Sequence, residues 1–149
     1  MYMIEYIFLL FACIILAKSS KHDYDTMFVE WYTPILLLIC GVFYMLFSGN
    51  SIWDTIGIVT IIGFLFALPS FFSFGMGDFL IFLGLGFFID TSDGLSVFLG
   101  VFLVLWVGWT VLMLHKHKTS KKQLWKVEYP LVPVIALSFY FWIVYSLLF

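Results

Sequence analysis

The stretch Gly75-Met76-Gly77-Asp78 puts one acid at the head of an otherwise apolar segment, Phe79 to Ile89. Earlier in the chain, Asp23 and Asp25 stand in a polar island, Lys18-Ser19-Ser20-Lys21-His22-Asp23-Tyr24-Asp25. Two carboxylates brought to one level from different helices can share one proton, because close like charges cannot both ionise. The ionised acid then takes a proton from water, and the protonated one gives its proton to a leaving amine. That is peptide hydrolysis by an aspartate pair. Gly75 and Gly77 would let backbone or a substrate strand approach Asp78 closely. Each acid also has a plainer reading. Asp78 suits a helix N-cap, and Asp23 and Asp25 suit a solvated loop balancing Lys18 and Lys21.

The elements that would position these acids follow from composition. Of 149 residues, 64% are hydrophobic, 22% aromatic and only 11% charged. A soluble domain has nowhere to bury so much apolar surface. A span needs roughly 20 mostly apolar residues, and six segments approach that: Met3–Ala17, Thr33–Phe47, Ile52–Leu68, Gly77–Ile89, Leu95–Leu114 and Leu131–Phe149. The expected fold is all-α, a polytopic membrane protein with six transmembrane helices, and residues 1–149 form one membrane-embedded domain. Strands with open edges do not survive in lipid, and the alternation of a barrel is missing. The first, second and fourth spans are short for a bilayer, so their polar ends should lie near the apolar layer. Ser48-Gly49-Asn50-Ser51, Pro69-Ser70, Gly75-Met76-Gly77 and Thr91-Ser92-Asp93-Gly94 read as the breaks. The polar island after Ala17 reads as the first loop.

All seven basic residues are Lys, and they fall in the first and fifth loops: Lys18, Lys21, Lys116, Lys118, Lys121, Lys122 and Lys126. With six spans these loops share a face, which the positive-inside rule makes cytoplasmic. Both termini are then outside. Asp78 begins the fourth helix on the cytoplasmic side, at the level of Asp23 and Asp25, while Glu5 belongs near the outer end of the first helix. Cys13 and Cys40 sit in apolar stretches and read as packing residues. His115 and His117, two apart among Lys, are poor ligand spacing even with His22, so no metal is expected. Ser19, Ser20 and Ser73 lack a His–acid arrangement. Nothing resembles a nucleic-acid groove. Phe71, Phe72, Trp106 and Trp109 read as lipid-facing or interfacial.

Gly75-Met76-Gly77-Asp78 matches the GxGD motif of membrane aspartyl proteases, and its GMGD form resembles that of the type IV prepilin peptidases. In that family a first aspartate stands about six residues before an Ile-Pro or Val-Pro pair and an aromatic. Here Asp23 stands six before Val29, and Trp31 follows. Glu128-Tyr129-Pro130-Leu131-Val132-Pro133 resembles the family's Pro-Phe-x-Pro lead-in to the last helix. The resemblance covers most of the chain, in order. It departs in two places: Glu30 stands where the family has Pro, and Leu80 where it often has Lys. The CxxC region of longer, methylating members is absent, so the chain resembles the short, peptidase-only form. Tyr24-Asp25 is also similar to the Tyr-Asp motif of presenilin-type and signal-peptide-peptidase proteins, which keeps Asp25 as the alternative to Asp23.

The resemblance implies an endopeptidase of the cytoplasmic (inner) membrane that cuts the basic leader of a prepilin-like protein on the cytoplasmic side. Asp23 and Asp78 would be catalytic, Gly75 and Gly77 would support the motif, and Glu30 and Glu128 would meet the basic substrate. No cofactor is required. The expected partners are the prepilin-like substrate and the lipid bilayer. The competing expectation is a non-catalytic small membrane protein, a transporter or assembly subunit, with Asp78 as helix cap or ion ligand.

Overall fold

The structure is a computed structural model and describes residues 3–49, 51–72, 76–89, 91–116 and 130–148. Among these residues there are six helices and no strands. They are α1 (Met3–Thr26), α2 (Tyr32–Ser48), α3 (Ile52–Phe72), α4 (Met76–Gly86), α5 (Ser92–Lys116) and α6 (Val132–Leu148). The short α4 lies centrally, packed on α2 and α3. α1 joins α2 to α6, and α5 lies along α6.

Four boundaries differ from the sequence expectation. The polar island is not a loop, because α1 continues through it to Thr26. No Gly or Pro interrupts Lys18 to Thr26, so nothing in the backbone stops the helix there. The helix ends instead at Met27, whose φ of 60° is left-handed and whose N–H donates to the Asp23 carbonyl at 2.8 Å. That single bond closes a left-handed C-terminal cap. α3 runs past Pro69 to Phe72; a proline removes one backbone donor, and apolar helices tolerate this where neighbours compensate. α4 stops at Gly86, short of Ile89, after two weak helix formers, Gly84 and Gly86. Ser92-Asp93-Gly94 is the first turn of α5 rather than a turn before it. Thr91 caps it by accepting the Gly94 N–H on Oγ1 at 3.0 Å.

Two aromatic groups fix α4 among its neighbours. Phe66 stacks on Phe82 with centroids 4.0 Å apart, and Phe102 meets both rings edge-on, tying α3, α4 and α5. Phe88 touches Tyr44 and Phe139, and Phe139 stacks on Trp142, tying α2 to α6 beyond the end of α4. Trp106, expected on the outer face, is half-buried and stacks on Phe102. Glycines let α2 and α4 cross closely. A Cβ on Gly41 would stand 2.8 Å from the Gly84 carbonyl oxygen and 2.7 Å from Phe87 Cβ, distances no real side chain tolerates.

The outer surface is apolar. Leu10, Phe64, Val104 and Phe141 are exposed, along with many other large hydrophobic side chains on α1, α2, α3, α5 and α6. Among the described residues one segment, Asp93–Leu112, is long and apolar enough to cross a membrane by length and composition. Tyr32–Ser48, Ile52–Phe66, Met76–Gly86 and Val132–Leu148 are apolar but shorter.

Candidate active site at one end of the bundle

The buried stripe of α1 is Glu5, Leu9, Ala12, Leu16, Ser19 and Asp23. The steps of four and three keep these residues on one helical face. Asp23 therefore turns inward although its sequence neighbours are polar. Asp25, two residues on, lies about 200° round the helix and is exposed. The extension of α1 thus separates two acids that a loop would have left equivalent.

Asp23 is 4% exposed and reaches the start of α6. Its Oδ2 accepts the Val132 N–H at 3.0 Å, and its carboxylate also accepts from the Leu131 N–H. The first N–H groups of a helix have no partner within it. In α6 the Val134 and Ile135 N–H groups turn back to the Leu131 carbonyl, at 3.0 and 3.1 Å, and Pro133 has no N–H. Asp23 caps the remaining two donors from another helix, at the positive end of the α6 dipole.

This position perturbs the acid. Asp23 lies beyond the Met3–Ala17 span expected from sequence. Burial pushes its carboxyl above the ordinary aspartate value of 3.8, against the opposite pull of the Val132 and Leu131 N–H groups and of nearby His22. Desolvation of the charged form dominates. A carboxyl held this way keeps its proton closer to neutral pH, as a general acid requires.

The segment after α1 carries the other groups. His22 Nδ1 stands 3.8 Å from Glu30 Oε1, an ion pair when the imidazole is protonated. Glu30 is half-buried. Lys18 Nζ donates to Tyr32 Oη at 2.9 Å, joining α1 to the first residue of α2. Val29 presses on α4: a Cβ on Gly77 would lie 2.8 Å from Val29 Cβ, so glycine is what lets the two backbones meet. Asp78 follows Gly77, half-buried in the first turn of α4. A carboxylate there also faces a helix N-terminus. The Gly77–Val29 and Asp23–Val132 contacts bring the starts of α4 and α6 to the same end of the bundle as the end of α1.

No protein-family model, curated protein or solved structure matches the chain. The site is therefore read from its own geometry.

Of the residues singled out in the sequence, Asp23, Gly77, Asp78 and Glu30 come to this end, and Asp25 points away from its interior. Gly75, Glu128 and His117 lie outside the described residues. Among the described residues no three His, Cys, Asp or Glu side chains form a group that could hold a metal. The sequence reading missed two parts of the site. One is the N-terminal backbone of α6, which acts through Leu131 and Val132 whatever their side chains. The other is the burial of Ser19, weighed from sequence only as a nucleophile: it is 1% exposed, one turn before Asp23, and its Oγ has no hydrogen-bond partner among the described residues. The four-and-three stripe from Glu5 was the available signal for Ser19, had it been followed past Ala17.

Proposed function

We propose that the chain is a polytopic membrane aspartyl endopeptidase that cleaves the basic leader of a prepilin-like protein at the cytoplasmic face. Asp23 and Asp78 are its acid–base pair. One acid, protonated, donates to the leaving amine, and the other takes a proton from the attacking water, which adds to the scissile carbonyl. Glu30 and Glu128 meet the basic leader. The observation that carries the reading is the inward-facing, desolvated Asp23 at the end of the bundle where Gly77-Asp78 begins α4.

The membrane part rests on the distribution of polarity. Apolar residues cover the outside, while α1 buries Glu5, Ser19 and Asp23. A water-soluble monomer rarely exposes large contiguous apolar surface; a chain solvated by lipid does. In the sequence, all seven Lys fall between the first and second or between the fifth and sixth apolar segments, which fits the positive-inside pattern.

A second reading draws on the hydrogen bond from Val132. Asp23 caps α6, and capping alone would explain its burial. The chain would then be a non-catalytic membrane subunit, with Asp78 serving the start of α4. Cleavage of a co-expressed prepilin-like substrate separates the two. We expect Asp23→Asn and Asp78→Asn to insert normally and to lose cleavage, and Asp25→Asn to retain it. Normal cleavage by inserted Asp78→Asn would sink the peptidase reading.

A further inference from the structure

A catalytic carboxylate must be held still, and Asp23 is held by backbone. Among the described residues its donors are the Val132 and Leu131 N–H groups, at the start of a helix five elements further along the chain. α1 and α6 are fastened together again deeper in the bundle, where Tyr140 Oη donates to the Cys13 carbonyl at 3.1 Å. The α6 start therefore cannot slide freely along α1. Backbone donors carry no rotamer freedom of their own, so they fix an acceptor more tightly than side chains do.

We propose that the first turn of α6 is the positioning element of the peptidase. The Val132 N–H and the Leu131 N–H just before it orient the Asp23 carboxylate for proton transfer. This rests on the peptidase reading above. Of the titratable groups at this end of the bundle, His22 acts on Asp23 directly; Lys18 donates to Tyr32 and Glu30 faces His22, Asp78 lies in the first turn of α4, and Lys21 and Asp25 are exposed on α1. The first turn of α6 carries none, and Lys126 and Glu128 before it lie outside the described residues. The contribution of α6 is thus the N–H groups themselves.

Val132 is the first residue of α6. Proline fits that position, because its fixed φ is helical and the helix makes no use of that N–H. Val132→Pro deletes the donor, Val132→Ala keeps it, and an ester in place of the residue-132 amide deletes it without touching the side chain. The carboxyl of Asp23 is followed by carbon-13 NMR in aspartate-labelled protein, assigned with Asp23→Asn, alongside the pH profile of cleavage. Losing a donor to the charged form raises the pKa. We expect the Asp23 midpoint to rise by about one pH unit in Val132→Pro and in the ester, a shift equivalent to about tenfold in equilibrium. The alkaline limb of kcat, which reports a general acid, should rise with it, kcat should fall about tenfold, KM should stay unchanged, and Val132→Ala should match the unaltered protein. An unmoved midpoint in both donor-deleted proteins overturns the proposal. A moved midpoint with an unmoved alkaline limb also overturns it, since the bond then serves stability alone. If the unaltered protein cleaves nothing while the resonance still shifts, the peptidase reading itself has failed and takes this role with it.

Discussion

α1 and α5 are nearly equal in length, at 24 and 25 residues, yet they are built to opposite rules. α5 buries Leu95, Phe98 and Phe102 and turns Leu103, Val104, Val107 and Val111 outward, so both faces are apolar. α1 shows Leu10, Phe11 and Ile14 to the outside and buries Glu5, Ser19 and Asp23. A helix that buries an acid near each end while turning Leu10, Phe11 and Ile14 outward gains little from water. Of its buried polar residues, Asp23 is held by the start of α6. The difference predicts that the outer face of α5 tolerates substitution and that α1 does not at Asp23.

The largest test of this contrast is activity. Asp23→Asn and Asp78→Asn should each lower cleavage by about 10²–10⁴-fold, the usual weight of a general acid or base. Asp25→Asn, on the outer face of the same helix, should stay near the unaltered rate. Stability comes next. Asp23→Ala strands two N–H groups at the start of α6 and should cost about 2–3 kcal/mol of unfolding free energy in detergent. Asp23→Asn should cost less, because its amide oxygen still accepts. Val104→Ala, on the exposed face of α5, should lie within about 0.5 kcal/mol. Equal losses for Asp23→Ala and Val104→Ala would erase the comparison.

A smaller effect appears in the pH dependence. Asp23 is raised in the folded state, so the folded chain binds more protons than the unfolded one between the ordinary value of 3.8 and the raised value. Stability is then fully present below 3.8 and declines as pH climbs through the folded pKa. Thermal unfolding across that window should show the decline in the unaltered protein and a flatter curve in Asp23→Asn. The smallest effect concerns the end of α1. Met27 holds a φ of 60°, which costs a side-chain-bearing residue about 1 kcal/mol and glycine almost nothing. Met27→Gly should gain up to about that amount and leave cleavage unchanged. A loss of stability would mean that the Met27 side chain, partly exposed here, matters more than its backbone.

The helices themselves were readable from the chain. Runs such as Ile35 to Phe47 or Leu95 to Leu112 have one outcome when backbone groups must pair within the segment. Their ends were less readable. Lys18 to Thr26 looks like a loop by polarity, but polarity does not break a helix. Gly and Pro do, and none is present. Pro69 looked like an end and is passed through, whereas Gly84 and Gly86 shortened α4 more than expected. Within the site, Gly77 and Asp78 stood out by motif and Asp23 by register. Leu131 and Val132 did not, because a backbone N–H has no residue-type signature.

By itself, then, the sequence determined that the chain is helical, strongly apolar and basic at two places, with few acids set among apolar residues. These are properties of composition and local pattern, which need no knowledge of neighbours. Tertiary structure decided which of Asp23 and Asp25 is buried, through the continuation of α1 and the angle at which it meets α6. It decided that Gly77 rests on Val29 and that the start of α6 closes on a carboxylate 109 residues earlier in the chain. Such contacts depend on how six helices pack, and an environment that raises the pKa of an acid exists only once they have.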